Sequence, residues 1–447
     1  MKKYIFTLSL ICSIAALCFL VSACGSSDEE RSRVLKIYNW GDYIDEDVLA
    51  EFPAWYKQQT GEDIRIIYQV FDINEIMLTK IERGHEDFDV VCPSEYIIER
   101  MLKKDLLLPI DRNFGKTPDY IPNISPYIQG ELNKTSQPGR ATTDYAVPYM
   151  WGTAGILYNK KFIGEEEASS WYCLWNPKNR GKILMKDSYR DAYGTAIIYS
   201  HAPQLADSTV TVEQLMNDNS SQAIALAEEY LKAMKPNIAG WEADFGKEMM
   251  TKNKAWMNFT WSGDAVWAIE EADAVGVELD YTVPREGSNI WYDGWVIPKY
   301  ARNVKAASYF INYLCQPEVA LRNMDAIGYV SAVATPEIME AKTDTTIEEH
   351  SDLSYFFGAL PGADSLAINS IQYPDRKVVE RCAMIRDFGD RTELVLEMWS
   401  RVKGDNLNTG IVLLIFAVFG ILLVWLVYGK IRKYRHRKRP HRRRRRK

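Results

Sequence analysis

At 447 residues, 47% of them hydrophobic and 26% charged, the chain can bury a sizeable core and more than one domain. Thirteen of its 54 Lys and Arg residues lie between Lys430 and Lys447, leaving 41 basic residues against 60 acidic ones for everything before them. An acidic body argues against a nucleic-acid partner, and a basic tail beside an apolar stretch suits anionic lipid headgroups better.

In chain order, Lys2 and Lys3, an apolar run from Ile5 to Val21 and the small residues Val21-Ser22-Ala23 before Cys24 read as a secretory signal over residues 1–23. The VSAC sequence resembles a bacterial lipoprotein signal, which implies cleavage before Cys24 and lipid on its sulfur. Residues 24–33 then form a solvated tether. From Val34 the pattern alternates. The residues predict a strand at Val34–Tyr38, a helix at Asp45–Gln59 closed by Gly61, a strand at Asp63–Val70, a helix at Asn74–Glu82, a strand at Phe88–Cys92 and a helix at Glu95–Lys104. Strand and helix in turn predict an α/β fold with a parallel sheet, whose ligands bind beyond the carboxyl ends of the strands.

A long strand and crossover is expected at Tyr145–Asn159. A second lobe, residues 146–290, carries extended segments at Lys182–Met185 and Ala255–Thr260 and one long helix at Thr211–Met234. Residues 291–403 return to the first lobe (34–145), with a strand at Gly294–Pro298, a helix at Val304–Leu314 and an amphipathic segment at Arg391–Lys403. Residues 407–429 hold no charged side chain. At ~1.5 Å per residue they suffice to cross a ~30 Å hydrocarbon layer as a transmembrane helix. The basic residues 430–447 would stay on the cytoplasmic side.

Catalytic patterns are missing from the sequence. His436 and His441 sit in the tail, His85, His201 and His350 are scattered, and there is no HExxH, GxSxG or P-loop. Beyond the signal and Cys24, the cysteines Cys92, Cys173, Cys315 and Cys382 lie far apart with no CxxC, so thiolate metal binding is unsupported; they read as small buried apolar residues, with one disulfide open to them in an oxidising compartment. The expectation is a protein that is not an enzyme and needs no cofactor or metal. What recurs instead is an acid beside a ring: Trp40-Gly-Asp42-Tyr43 after the first strand, Ser94-Glu95-Tyr96 after the third, Asp187-Ser-Tyr189-Arg-Asp191, Trp261-Ser-Gly-Asp264, and Trp291-Tyr-Asp293 within NIWYDGW. Carboxylates neutralise ammonium groups, and indole or phenol faces wrap methylenes and attract cations by ~0.5–2 kcal/mol each. The combination suits a flexible organic cation.

At YNWGDYI, FDVVCPSEYIIERM, YAVPYMWGTAGILYN, WSGD, WYD and IGY the chain resembles the spermidine/putrescine-binding proteins, the solute receptors of polyamine ABC importers, over residues 34–403. The resemblance implies a two-lobed α/β fold of the periplasmic-binding-protein-like type II, closing over its ligand by a hinge, here with an added C-terminal transmembrane helix. It also implies roles. Trp40, Tyr43 and Tyr96 would wall the cleft, Asp42 and Ser94 would accept from an amine, and Trp261 and Trp291 would pack along the methylenes. Asp264 and Asp293 would hold one ammonium, Asp191 would stand near the other amine, and Tyr329 would close the end. Putrescine is favoured over spermidine. The implied partners are an inner-membrane permease with its ATPase, and the bilayer through Cys24 and helix 407–429; the receptor would be a monomer on the periplasmic face of that membrane. A membrane-anchored polyamine sensor, or a receptor for another small organic cation, are the alternatives.

Overall fold

The computed structural model of the chain describes residues 30–243, 245–404, 416–422, 424–425 and 427–428. The signal peptide, Cys24, most of the tether and the basic tail lie outside the described residues.

Strand β1 (Val34–Trp40) runs into helix α1 (Glu46–Thr60), whose start and stop are written locally. Asp45 caps it by accepting from the Asp47 amide, and Gly61, at φ 78°, takes the left-handed position that closes it. Val48, Phe52 and Tyr56, four residues apart, put one buried face against the sheet. Next come β2 (Arg65–Phe71), α2 (Asn74–Glu82), β3 (Val90–Val91) and α3 (Glu95–Lys103). β1 lies between β2 and β3 and is parallel to both.

After the short β4 (Leu107–Leu108) comes β5 (Ala146–Asn159), all of whose 14 residues are buried. The second half of the molecule contains β6 (Ile183–Lys186), α4 (Tyr189–Ser200), α5 (Val212–Met216), α6 (Ser221–Met234), β7 (Ile238–Glu242), β8 (Met257–Trp261), α7 (Ser262–Asp273) and β9 (Leu279–Thr282). β10 (Ser288–Pro298) then returns to the first half, followed by α8 (Val304–Leu314), α9 (Pro317–Ile327) and β11 (Val330–Ser331). The sheet order is β2-β1-β3-β10-β5-β8-β6-β7.

The parallel sheet predicted from alternation is in fact mixed. β6 is parallel to β7 and β8, but β5 runs antiparallel to β8 and β10, and β10 antiparallel to β3. β5 pairs through Ala146–Thr153 with β10 and through Ala154–Asn159 with β8 and β9, so one strand belongs to both halves. The boundary drawn at 145 falls at the start of β5, and the one at 290 falls inside β10, which begins six residues before the predicted Gly294 and contains all of NIWYDGW. The expected helix Thr211–Met234 is two helices, because two N-caps compete within it: Thr211 forms a capping box with Gln214, and the Ser220 hydroxyl accepts from the Ala223 amide at 3.1 Å.

The described residues up to Val395 form one compact unit and those from Leu396 onward another. Part of the proposed span 407–429 lies outside the described residues; 416–422 is helical, with Phe416, Phe419 and Ile421 exposed. Among the described residues no helix is long and apolar enough to cross a membrane. Cys92, Cys173, Cys315 and Cys382 are free thiols, the first three of them buried.

Candidate functional site

The parallel pair β1 and β3 in one half and the parallel pair β6 and β8 in the other end in the loops that carry the acid-and-ring residues, and contacts among those residues bring the loops together. At the meeting point is Asp293, 7% exposed, on β10. Its Oδ2 accepts from the Tyr43 hydroxyl at 2.8 Å, while Oδ1 has no hydrogen-bond partner. A backbone bridge to Ser94 ties the strand to the loop after β3. Burial pushes the Asp293 carboxyl up to about 6, and hydrogen bonding with Ser94 and Tyr43 offsets only part of that. The Tyr43 phenol is itself raised by burial and by the neighbouring Asp293 charge.

Rings close around this carboxyl. Tyr43 meets Tyr149 and Tyr329 edge-on, each at 5.7 Å between centroids, and Trp291 meets Tyr329 edge-on at 5.3 Å. Two glycines make the room. A Cβ on Gly152 would stand 2.7 Å from Trp291 Cζ2, and one on Gly263, the glycine of WSGD, would collide with the Tyr329 ring. Gly263→Ala should therefore force Tyr329 aside at a cost of ~1–3 kcal/mol; a drop in denaturation midpoint together with weakened ligand binding is the expected result, and an unchanged midpoint would contradict the packing. Tyr329 links the two acids: burial raises its phenol, and the charges of Asp264 and Asp293 both add to the rise, which the Asp264 backbone partly opposes.

On the other half, Ser188 caps α4 and Asp191 lies in its first turn, 7% exposed, with Oδ1 accepting from Asn289 Nδ2 at 3.1 Å. Burial raises its pKa; Ser188, Asn289, Trp261 and Lys186 oppose the shift. Asp264 is not the open acceptor that the resemblance implies. Its Oδ2 is held at 2.8 Å by Lys186 Nζ, an internal ammonium that also lies 4.7 Å above the Trp261 ring.

Three expected residues stand differently. Asp42 is exposed in a left-handed turn (φ 50°), outside the buried cluster, because that backbone conformation follows directly on the end of β1. Trp40 packs on Phe71 at 4.5 Å with its Nε1 unpartnered. Tyr96 has the Arg190 guanidinium 4.1 Å over its ring, so a cation already covers one face of this proposed wall. Ser94 Oγ and Tyr96 Oη both accept from Asn74 Nδ2 at 3.0 Å. Glu95, the first residue of α3, is buried, with Oε2 accepting from the Tyr292 amide at 3.0 Å; burial raises its pKa well above the usual range, and Asp293 and Asp191 add to this. Glu95 thus feels the charge of both Asp293 and Asp191. Trp295, the second tryptophan of NIWYDGW, belongs to the core, packed on Phe310 and Tyr149.

Sequence reasoning missed Lys186, Glu242 and Arg190. Lys186 ends β6, at the same edge that drew attention to the other loops; the signal was its position, but only acids and rings were sought. Arg190 and its neighbour Tyr189 reach from the second half to the first, where the Tyr189 hydroxyl donates to Glu75 Oε1 at 2.6 Å.

Two α/β halves joined through long antiparallel strands, with converging acids and rings at the strand ends, have the build of a two-lobed solute receptor. The chain matches the family of bacterial extracellular solute-binding proteins over residues 54–346 and belongs to it. It is 28% identical over 392 residues to the spermidine/putrescine-binding periplasmic protein of Escherichia coli K12, covering 88% of this chain and 97% of that one. It is 30% identical over 316 residues to the putrescine-binding periplasmic protein PotF of the same organism, covering 68% and 80%. Among solved structures, the spermidine/putrescine ABC transporter substrate-binding protein PotD of Streptococcus pneumoniae matches with a TM-score of 0.61 at 29% identity, over 83% of this chain and 98% of that one.

Proposed function

We propose that this chain is an extracytoplasmic receptor that binds a polyamine, putrescine in the first instance, and delivers it to an ABC import permease and its ATPase. The observation that carries the reading is Asp293: a buried carboxyl with one oxygen unpartnered, among aromatic rings, is costly by itself and is completed by an ammonium. Tyr43, Tyr329, Trp291 and Trp261 would enclose the methylenes, and Asp191 would meet the second amine directly or through water. Trp40, Ser94, Tyr96 and Asp42 would line the approach. Lipid at Cys24 and a transmembrane helix at 407–429 would hold the receptor at the periplasmic face of the inner membrane beside its permease, the tail 430–447 inside and the body acting as a monomer.

Calorimetry of the full chain in detergent with putrescine, spermidine and a neutral sugar tests the reading; heat with the sugar and none with the amines would end it. Closure would be along β5 and β10, with the Tyr189–Glu75 hydrogen bond fastening the halves. Removing that bond with Tyr189→Phe should cost ~1.5 kcal/mol of closure and weaken putrescine about tenfold. Unaltered affinity in the variant would mean that the bond plays no part in holding the ligand.

A further inference from the structure

Lys186 is the last residue of β6, and its side chain is 2% exposed. A lysine ammonium has three N–H donors. Here Nζ donates to Asp264 Oδ2 at 2.8 Å and to the Ala243 carbonyl at 2.9 Å, and lies 3.3 Å from Glu242 Oε1. The Trp261 face completes the enclosure at 4.7 Å. Glu242 is wholly buried and fixed by Asn258 Nδ2 at 3.2 Å and by the Gly246 amide at 3.1 Å. Burial works against the lysine's charge, but Asp264 and Glu242 outweigh it, so the group stays an ammonium. Lys247 Nζ stands 4.0 Å from the other Asp264 oxygen, so the acids at this end are balanced from within the protein.

These contacts are those that a primary alkylammonium ligand would make: two carboxylates, a carbonyl and an indole face. Asp293 and Asp191 form no ion pair with a protein cation among the described residues; Tyr43 and Ser94 hydrogen-bond to the first and Asn289, Ser188 and Trp261 to the second, all of them neutral, although the Lys186 charge is felt at Asp191.

We propose that Lys186 is the specificity-determining residue of the site: its side chain is a built-in alkylammonium that fills the amine subsite formed by Asp264, Glu242 and Trp261, leaving unmet acids for a diamine and none for the third amine of a triamine. The inference rests on the polyamine reading above and names the ligand within it. A triamine such as spermidine would bring its extra charge against Lys186, where two ammonium groups would compete for the same carboxylates.

The test compares putrescine and spermidine by calorimetry on the full chain, in the native protein and in Lys186→Met. Native protein should favour putrescine by at least tenfold. Lys186→Met, which frees two carboxylates and the space between them, should raise spermidine affinity relative to putrescine by at least tenfold. If Lys186→Met does not fold, because its acids are left unbalanced, the double variant Lys186→Met/Asp264→Asn removes the pair together and keeps Glu242, and the same relative gain for spermidine is expected. A ratio that stays within threefold of native in the folded variant overturns the proposal, as does a native protein that binds spermidine as tightly as putrescine. In both cases the polyamine reading stands. Native protein that binds neither amine would instead overturn that reading, and this inference with it.

Discussion

Asp293→Asn is expected to weaken putrescine by about 3 kcal/mol or more, at least a hundredfold, while leaving the empty protein as stable as before or more so. The two halves of this expectation have one cause. In the empty protein the carboxylate is buried with one oxygen unpartnered, so its charge is a burden to the fold; in the complex the same charge is what an ammonium pairs with. Asparagine keeps the shape and can still accept from the Tyr43 hydroxyl, so the 2.8 Å contact need not be lost. Calorimetry gives the first half and denaturant unfolding of the empty protein the second. If affinity falls only together with the unfolding midpoint, Asp293 is a structural residue and the pairing with an amine is wrong.

How the acid comes to be there was only partly legible in the sequence. The loops after β1 and β3 could be read because caps and short-range periodicity are local: Asp45 and Gly61 delimit α1 within a span of 17 residues. The convergence of Tyr43, Ser94 and Asp293 could be argued in outline from strand-end geometry, since ligand-facing loops gather at one edge of such sheets. What could not be read is what depends on pairing between distant strands. β5 and β10 look like ordinary strands in sequence, and only their antiparallel register carries Trp291 opposite Gly152 and Asp293 opposite Met150. Side-chain partnership across the halves was equally hidden. Asp264 carries the same motif whether it awaits a ligand or already holds a lysine 78 positions earlier, and nothing near WSGD announces Lys186. Asp42 shows the converse: the right residue type in the right loop is left outside by one left-handed backbone angle.

Putrescine affinity should be flat above about pH 6 and should fall by up to tenfold per pH unit below it, through the titration of Asp293 in the empty protein. The sign follows from the direction of the shift. Burial raises this carboxyl to about 6 in the fold, whereas the unfolded chain has it near its ordinary value of 3.8, so the folded empty state binds the proton more tightly. Above pH 6 the charge costs the empty fold about 3 kcal/mol, at ~1.4 kcal/mol per pKa unit; that cost shrinks as pH falls through the window from 6 towards 3.8, so the empty protein gains stability there from this group. A diamine acts in the opposite sense. Its ammonium groups, with ordinary pKa values near ~10, stay charged throughout, so only the receptor's proton must leave for binding. Ligand and proton therefore compete for one carboxylate, and calorimetry below pH 6 in two buffers of different ionisation enthalpy should register about one proton released per putrescine bound. Glu95 and Asp191, whose carboxyls burial also raises, would contribute any slope that survives in Asp293→Asn. The variant should lose the step near pH 6, and a native dissociation constant that does not change between pH 7 and pH 5 would rule Asp293 out as the group that meets the amine.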